Sequence, residues 1–482
     1  MDCVHEGCGH TEGGYMKARI AVAAAAVALL AVSCGSKKET AESTTTAAAT
    51  ETTAAATETT AAATETTAAA TETTAAASSD QWGTAMEPGA SGCIVSGTAA
   101  ATGEPIKVGS IQSKTGPDDF SSSGQGAKAF FECVNANGGI NGRPVEFLLE
   151  DDQWTPDVAA QAAAKLINDE GVVAMVGNSS FVECGVNAAL YEEKGIVAVY
   201  GTGVPKECFF VKNMSATNSG PRISAIGAAQ SLKDQFDVKS LVCIAGNIPS
   251  TGGWVCPGVE DWGKAAGVEV RTILHDPAAP DFTAIVQDAM SGNPDGILLM
   301  EPAGLAVPFL KVAEEQDLRE KAHWAGPTSL YLATFPATIG AYWNGFLTVQ
   351  AELTTIDAAT PDNQAWLATM EKYGSADDPR DTFSQAGWLA AKIFTQTLLQ
   401  LSGDITRENV TAAIKAVKNY RSDLMCTPWY FGEGDRHNAN HAGRVMIINK
   451  DGAYEKIQDC AEVPDPEVAD VLQFEKDNGL VG

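Results

Sequence analysis

The chain has few basic residues and carries none of the short motifs that mark common enzyme classes. Lysine and arginine together number 32, against 61 aspartates and glutamates, which gives a formal net charge of −29. Because no cluster of lysine and arginine stands out, nucleic acid is not an expected partner. No nucleophile elbow, P-loop or metal motif occurs, and Gly201–Gly203 lacks the third glycine of a dinucleotide fingerprint. We therefore expect neither an enzyme nor a bound cofactor or metal.

Long apolar runs are equally scarce, and the exception lies near the amino terminus. Ile20–Val32 follows basic residues and ends at Ser33-Cys34-Gly35, which is the pattern of a secretory signal. The run is too short for a transmembrane helix of about 20 residues. We expect residues 1–33 to be this signal region, with translation starting at Met16.

The cysteine at the cleavage point resembles that of a bacterial lipobox, although Ala31 occupies a position where leucine is usual. The pattern predicts that Cys34 is the lipidated first residue of a mature protein held outside the cytoplasm, at the bacterial cell membrane. Ordinary cleavage near Cys34 and an uncleaved anchor remain the alternatives. No later segment has the length and polarity of a membrane span, so the body of the protein is expected to be soluble.

A stretch of low sequence complexity follows this cysteine. Four copies of Thr-Glu-Thr-Thr-Ala-Ala-Ala run from Thr50 to Ala77, a seven-residue period that would suit a coiled coil. Alanine is too small to build the seam of a coiled coil, and threonine is a poor helix former. We therefore predict a disordered tether over residues 34–80, which would hold a folded domain away from the lipid anchor.

Eight of the 11 cysteines follow Cys34. An even number in an exported chain predicts disulfides, and no pair has the C-x-x-C spacing of a redox site. Eight cysteines allow on the order of a hundred connectivities, so the sequence leaves the pairing open. A bridge from Cys93 would staple an extra segment, residues 81–104, to the first domain. Pairing neighbours along the chain gives Cys93–Cys133, Cys184–Cys208, Cys243–Cys256 and Cys426–Cys460.

The body of the chain alternates strand and helix patterns. About 400 residues remain after the tether, which is too many for one core and suits two domains. Strands that alternate with helices predict a parallel, doubly wound sheet, and the pattern restarts after residues 218–221. We therefore predict an α/β protein with two such sheets. The predicted strands are Ile106–Ile111, Val145–Leu149, Val172–Val176 and Ile196–Tyr200, then Leu241–Ala245, Val268–Leu274 and Gly296–Met300.

The stretch from Asn135 to Pro156 carries a resemblance to a known family. It reads as a helix end, a turn with glycines at 138, 139 and 142, a buried strand and the pair Asp151-Asp152 before the next helix. This pattern resembles the branched-chain amino-acid-binding branch of the type I periplasmic binding proteins, the ligand receptors of ABC importers. The resemblance covers roughly residues 106–457.

The resemblance implies two lobes with a ligand cleft between them, joined by a three-segment hinge. We place the crossings near residues 211–215, 350–353 and 425–430. On this basis lobe I comprises residues 105–214 and 352–426. Lobe II comprises residues 215–351 and 427–460, and a C-terminal tail covers residues 461–482.

Candidate ligand residues come from the ends of the strands, where parallel sheets bind ligands. Ser179 and Ser180 are predicted to cap a helix and to hold a ligand carboxylate. The resemblance implies that the loops at 177–180 and 201–203 grip the α-carboxylate and α-amino groups of an amino acid. The predicted ligand-binding residues are Phe120, Ser179, Ser180, Gly201, Thr202, Gly203, Thr251, Glu301 and Thr328.

The chain departs from the family pattern at two positions. Thr328 stands after Gly-Pro, where relatives that bind amino acids often have an acidic residue for the ligand ammonium. Glu301 stands where an aromatic residue is common. Either Glu301 pairs with the ammonium instead, or the ligand has no ammonium. A strand-exit glutamate can also be simply solvated.

Together these features predict an extracytoplasmic substrate-binding lipoprotein of an ABC importer. It would close on a small polar solute, such as an amino acid or a related amide or carboxylate, and deliver it to the permease subunits in the membrane. The alternative is a ligand-sensing receptor of the same fold that signals to a membrane partner.

Overall fold

Two seven-stranded sheets organise the part of the chain that the computed structural model describes, residues 92–481. The predicted signal region, Cys34, the tether and residues 81–91 lie outside the described residues. The strands of the first sheet are β1 (Ile106–Gln112), β2 (Val145–Asp151), β3 (Ala174–Val176), β4 (Ser179–Ser180), β5 (Ala198–Tyr200), β6 (Thr202–Gly203) and β7 (Met214–Ala216). Those of the second are β8 (Ser240–Gly246), β9 (Glu269–His275), β10 (Gly296–Met300), β11 (His323–Gly326), β12 (Leu347–Ala351), β13 (Ala442–Ile448) and β14 (Tyr454–Glu462).

Helices connect and cover these strands. Within residues 92–481, none of them is long and apolar enough to cross a membrane. They are α1 (Ser122–Ala136), α2 (Pro156–Ala164), α3 (Glu183–Glu193), α4 (Gly220–Phe236), α5 (Gly252–Ala266), α6 (Phe282–Ala289), α7 (Ala303–Glu315), α8 (Phe335–Ile339), α9 (Pro361–Tyr373), α10 (Thr382–Gln400), α11 (Arg407–Lys415) and α12 (Pro466–Asn478). A π-helical turn, Lys165–Asp169, continues α2.

The first sheet is parallel throughout, in the order β6-β4-β1-β3-β5-β7, with β2 paired along the full length of β1. Apart from the partly exposed β2, its strands are buried on both faces, as expected for a parallel sheet covered by helices. One of these helices, α10, comes from late in the sequence. It packs closely on α1, because Gly126 and Gly387 leave room for the backbone of the facing helix. Lobe I is therefore built from two separate stretches of chain.

The second sheet has the order β14-β13-β12-β11-β10-β8-β9. It is parallel from β9 to β12, and β13 and β14 add two antiparallel strands at one edge. The prediction of two parallel-sheet lobes is confirmed. What the periodicity did not reveal is the antiparallel edge, which the chain supplies after its second visit to lobe I.

The crossings between the lobes differ in part from the predicted positions. Strand β7 pairs with β5 in the first sheet, so the first crossing follows Ala216 and does not lie at residues 211–215. The second crossing follows Ala351, within the predicted 350–353. Trp429 pairs with Tyr420, and Phe431 belongs to the core of lobe I, so the third crossing lies after 431. These boundaries depend on strand pairing across the sheet, which the local sequence does not encode.

The described C-terminal residues 461–481, predicted as a tail, pack on both lobes: Val468 joins the core beside α4 and α5, whereas Leu480 lies in the core of lobe I. Strand β14 extends to Glu462, and helix α12 follows. Asp465 caps this helix by accepting from the Glu467 amide. The same carboxylate binds the buried Arg222 guanidinium of α4, with Nε to Oδ2 at 2.7 Å. This buried ion pair fixes the start of α12 on α4, and the Asn419 amide of lobe I donates to the Leu480 carbonyl near the end of the chain.

Four disulfides join the cysteines that are neighbours along the chain. Cys93–Cys133 ties the extra N-terminal segment to α1, and Cys184–Cys208 ties α3 to the loop that precedes β7. Cys243–Cys256 joins β8 to α5. Cys426–Cys460 joins the third crossing region to β14. Each bridge therefore connects an element to a loop or helix packed beside it.

Candidate ligand-binding site

A cavity lies between the lobes, where the carboxyl ends of both sheets meet. Its volume is about 70 Å³, which is room for a few water molecules or a small ligand. The residues that line it come from lobe I, lobe II and the crossing segments. They are Phe120, Phe181, Thr202, Gly203, Val204, Asn218, Gly220, Pro221, Ser224, Thr251, Met300, Glu301, Pro302, Pro327, Thr328, Ser329, Glu352 and Phe383.

The structure brings most of the predicted ligand residues to this cavity. They share a position just beyond the end of a strand, as the rule for parallel sheets requires. The predicted residues that line the cavity are Phe120, Thr202, Gly203, Thr251, Glu301 and Thr328.

Ser179 and Ser180 do not line the cavity, because they form the short strand β4 and are fully buried. Ser180 Oγ accepts from the Val182 amide at 3.1 Å and the Glu183 amide at 2.9 Å, although the N-cap of α3 is Val182 and not Ser179 or Ser180. The same hydroxyl donates to the Asp152 carboxylate. These contacts occupy Ser180 within the protein, so it has no hydroxyl proton left for a ligand.

Gly201 also lies outside the cavity lining. A Cβ at this position would collide with Ser123 Oγ and would lie 2.8 Å from the Gly387 nitrogen. The residue is therefore a packing glycine that lets α1 and α10 approach β5. The sequence alone could not separate this role from ligand contact, because both favour glycine at a strand exit.

An aromatic cluster forms one wall of the cavity. The Phe120 ring lies 4.7 Å from Phe181 and 5.2 Å from Phe383, measured between centroids. Trp154 stacks on Phe181 at 3.9 Å. Phe383 lies at the start of α10, whose capping box is formed by Asp381 and Ser384. Phe383 comes from a distant part of the chain, and no local signal in the sequence points to it.

Glu301 lines the cavity and is already paired. Its Oε1 lies 2.7 Å from His275 Nε2, at the end of β9, and the two side chains are 2 % and 7 % exposed. Burial raises the pKa of Glu301 against the opposing effect of His275. Burial acts to lower the pKa of His275, but the hydrogen bond and charge of Glu301 outweigh it and the net shift is upward. His275 therefore occupies one carboxylate oxygen of Glu301 inside the protein, in the place where a ligand ammonium was predicted.

Glu352 is a site residue that sequence reasoning missed. It follows β12 at the second crossing and is 1 % exposed. Its Oε2 accepts from the amide and the hydroxyl of Ser219, both at 3.2 Å, whereas Oε1 has no hydrogen-bond partner among the described residues. Burial raises the pKa of Glu352 to about 7, against the opposing interactions with Ser219, the Asn218 side chain and the Gly220 amide. The position of Glu352 directly after a buried strand is the sequence feature that could have identified it as a site residue.

The backbone amides of the predicted ligand loops are occupied within the protein. Each donates to a protein oxygen and so is not available to a ligand carboxylate. The bonds are Thr202 to the Asn178 carbonyl at 3.1 Å, Gly203 to Asn218 Oδ1 at 2.8 Å, Thr251 to the Ile248 carbonyl at 3.0 Å and Thr328 to Ser224 Oγ at 2.9 Å.

Among the described residues that line the cavity, two hydroxyls remain buried without partners. Thr202 Oγ1 and Thr251 Oγ1 are buried, and neither makes a hydrogen bond with any described residue. Thr202 belongs to lobe I and Thr251 to lobe II, so the two hydroxyls approach the cavity from opposite lobes. A single polar ligand would therefore have partners on both sides of the cleft.

A second, smaller chamber of about 40 Å³ adjoins the first. The two share Phe181, Thr251, Met300 and Glu301 among their lining residues. The rest of the second chamber is mainly apolar. Its own lining includes Trp154, Ala245, Ile248, Val255, Pro277 and Leu305. The combined space suits a ligand with a polar end and a short apolar arm.

A direct contact joins the lobes at the rim. The Gly304 amide, at the start of α7, donates to Asp118 Oδ2 in the loop after β1, at 2.9 Å. Trp154 Nε1 donates to the Asp118 carbonyl at 3.1 Å. Burial raises the pKa of Asp118, against the opposing bond from Gly304. The lobes are thus in contact across the cleft and enclose the cavity.

Known proteins resemble this chain over most of its described length. The family model described as periplasmic binding protein matches residues 105–453. The Leu/Ile/Val-binding protein homolog 4 of Brucella melitensis is 24 % identical over 381 residues, which is 74 % of this chain and 87 % of that protein. Other alignments are local, and one curated relative is matched over only 20 % of its own length.

Solved structures agree with the fold. The fatty acid ABC transporter substrate-binding protein from Thermomonospora curvata superposes with a TM-score of 0.64 and 20 % identity, covering 77 % of this chain and 95 % of that one. A solute-binding protein from R. palustris in complex with 4-hydroxybenzoate gives 0.64 and 18 %, covering 76 % and 100 %. The chain therefore belongs to the periplasmic binding protein family, in the type I branch of the branched-chain amino-acid-binding proteins, whose members bind solutes and are not enzymes.

Proposed function

We propose that this chain is a lipid-anchored substrate-binding protein of an ABC importer, which encloses a small polar solute and delivers it to a permease. The family implies a location outside the cytoplasm. The observation that carries the proposal is the enclosed cavity with the unpartnered Thr202 and Thr251 hydroxyls and Glu352 Oε1 on its walls. A buried polar atom left without a partner costs about 1–3 kcal/mol. A bound polar solute would remove that cost.

Closure of the lobes on the solute is the proposed mechanism. Thr202 and Thr251 approach from different lobes, so one ligand would satisfy both only when the lobes are together. The rim contact between Asp118 and Gly304 also exists only in the closed arrangement. A ligand that contacts both lobes favours the closed state by the free energy of these extra contacts.

The solute is proposed to be small. The cavity of about 70 Å³ and the adjoining 40 Å³ chamber leave little space for more than a single small molecule. Relatives are named for leucine, isoleucine and valine, for a fatty acid, or with bound 4-hydroxybenzoate. An amino acid or a related amine, amide or carboxylate lies within this range of sizes.

Thermal unfolding of the full-length protein with a panel of such solutes tests the binding role. A ligand at 100 times its Kd should stabilise the protein by about 2.7 kcal/mol. The double variant Thr202→Val and Thr251→Val is the matched control, because it should fold while responding less to the same ligand. A folded protein that responds to no member of the panel would contradict the proposal.

The lipid anchor needs a separate test, because Cys34 lies outside the described residues. We expect the protein to partition into the detergent phase of a membrane extract and to carry acyl chains on Cys34 by mass spectrometry. A Cys34→Ala variant should be released as a soluble protein. Retention of that variant in the membrane would contradict anchoring at Cys34.

Import can be separated from sensing by measuring uptake. Cells should accumulate a labelled ligand found in the thermal screen, and deletion of the gene should abolish that accumulation. Expression of the Cys34→Ala variant should restore little of it, since the released protein would be diluted away from the permease. Normal uptake in the deletion strain, with an altered ligand response, would favour the sensor.

A further inference from the structure

The cavity offers hydrogen-bond acceptors and lacks positive charge. Among its lining residues in the described chain there are two glutamates and no lysine, arginine or histidine. The amides of the predicted ligand loops at Thr202, Gly203 and Thr328 already donate within the protein. A ligand carboxylate would therefore enter beside two acidic side chains, with only two threonine hydroxyls without partners to receive it.

The two glutamates differ in how many of their carboxylate oxygens already have partners within the protein. Glu301 forms a pair with His275 at 2.7 Å, which occupies its Oε1 within the protein. Glu352 has bonds only to its Oε2, and its Oε1 is buried without a partner. A buried carboxylate without a counter-charge is unfavourable, and a cation nearby makes its charged form favourable. Glu352 is therefore the position in the cavity where a positive group would be most strongly stabilised.

The neighbours of Glu352 leave this role open to a ligand. No side chain of the described residues supplies it with a positive charge. Arg222, two residues beyond Gly220 on α4, is held by Asp465 and Glu467. The titratable or charged groups on the elements packed around Glu352 are Glu301 with His275, Arg222 with Asp465 and Glu467, and His441, which lies 3.7 Å from Glu475.

We propose that the ligand of this chain carries an amine, that Glu352 at the second crossing is the counter-ion of its ammonium, and that acids without an amine are excluded. This inference rests on the proposed function and specifies the class of solute. It moves the ammonium site away from Glu301 and from the position of Thr328. It also places the ammonium site on a segment that connects the lobes, so the charge of the ligand interacts directly with the hinge.

Calorimetric titration of the full-length protein at pH 8 with matched compounds tests the assignment. The probes are isopentylamine, isovalerate and isovaleramide, then benzylamine, benzoate and benzamide, with leucine and phenylalanine as zwitterions. We expect each amine and the better zwitterion to bind at least about tenfold more tightly than the acid of the same skeleton. An acid that binds more tightly than its amine would overturn the inference and leave the proposed function standing. Silence from every probe, with folded protein, would reject both.

Glu352→Gln is the variant that isolates the charge, because it keeps the shape of the side chain. We expect its affinity for amines at pH 8 to fall at least about tenfold. Glu183→Gln is the matched control, since Glu183 is equally buried and lies outside the cavity lining. Its affinity should equal that of the wild type. Unchanged amine affinity in Glu352→Gln would overturn the counter-ion role.

A measurement on the wild type alone covers the case in which Glu352→Gln does not fold. Amine binding should weaken by up to about tenfold per pH unit below pH 7, because Glu352 must lose a proton to pair with the ammonium. At pH 6, titrations in buffers of different ionisation enthalpy should show release of close to one proton per amine bound. The neutral amides should release none. Amine binding without proton release at pH 6 would contradict the assignment.

Discussion

Two buried glutamates, Glu183 in lobe I and Glu352 at the second crossing, share a pKa raised to about 7 by burial. Their surroundings differ. Glu183 accepts from Asn178 Nδ2 at 2.9 and 3.0 Å on its two oxygens and also from the Tyr191 hydroxyl. Glu352 has one oxygen bonded to Ser219 and the other without a partner.

The difference teaches that a raised pKa alone does not mark a ligand site in this protein. Burial produces the same shift in both regions. What separates them is whether the protein itself completes the hydrogen bonds of the carboxyl group. The hydrogen bonds of Glu183 in lobe I are completed by Asn178 and Tyr191, whereas Glu352 at the crossing keeps one oxygen without a partner. The following changes test this contrast.

Removing the Glu183 side chain should have the largest effect on stability. Glu183→Ala would leave a cavity and would strip the Asn178 amide and the Tyr191 hydroxyl of their common partner. We expect the free energy of unfolding to fall by about 3–5 kcal/mol, measured by urea denaturation. Ligand affinity of the folded fraction should stay within about twofold. A large loss of ligand affinity at unchanged stability would contradict the conclusion that Glu183 serves the fold and not the ligand.

The pH dependence of stability should distinguish the two glutamates once a ligand is present. Each has a folded pKa of about 7, above its value of 4.5 in the unfolded chain. The unfolded chain therefore loses its proton first as pH rises, and stability falls between about pH 4.5 and 7. For each group the fall is roughly 3 kcal/mol.

The check is thermal or urea unfolding at pH 5 and pH 8 of the wild type, Glu183→Gln and Glu352→Gln. Each substitution should remove its own part of the fall. A saturating amine should remove the part that belongs to Glu352 and leave that of Glu183 in place. If the amine changed the contributions of both glutamates to the fall in stability equally, Glu352 could not be the ligand's only counter-ion, and the contrast would be wrong.

The unpartnered threonine hydroxyls should affect binding more than stability. Thr202→Val or Thr251→Val removes a hydroxyl that makes no bond within the described protein, so stability should be unchanged or slightly higher. Ligand affinity should fall about 3–10-fold for each, the value of one hydrogen bond. Thr217→Val is the control with the opposite result. Its hydroxyl lies 3.1 Å from the Gly201 carbonyl and 3.2 Å from that of Ala386, so stability should drop while affinity is kept.

The rim contact should give the smallest effect. Asp118→Ala removes the carboxylate that accepts from the Gly304 amide at the start of α7. A negative charge at a helix amino terminus is worth about 0.3–1 kcal/mol, so ligand release should accelerate about 2–5-fold. Stopped-flow measurement of ligand release checks this, with Asp119→Ala as a neighbouring exposed control. A slower release would mean that the contact does not hold the lobes together.

Much of the fold could be predicted because its signals are local. The apolar run Val145–Leu149 lies within β2, and the glycine turn before it has positive φ at Gly138, Gly139 and Gly142. Pro221 opens α4 at its first turn. Each of these depends on residues close together in sequence. By contrast, β4 and β6 are too short to leave a period, so Ser179 and Ser180 were read as a helix start and not as a strand.

The candidate site was predicted only where strand exits determine it. Thr202, Thr251 and Glu301 each follow or end a strand, and the rule for parallel sheets placed them correctly at the cavity. Glu352 and Phe383 come from elements that the chain reaches only on its return to lobe I. The position of Phe383 at the cavity depends on α10 packing against α1, which no local pattern specifies.

The sequence by itself determined the α/β alternation, the two sheets and the polar residues at the strand ends, because these follow from periodicity and turn chemistry within short windows. Only the tertiary structure decided which of those polar residues the protein satisfies itself. Ser180 is hydrogen-bonded to Asp152, and Glu301 is paired with His275. Glu352 Oε1 has no hydrogen-bond partner among the described residues. Hydrogen-bond partners are set by contacts between distant segments, so the side chains left free for a ligand emerge only when both lobes are assembled.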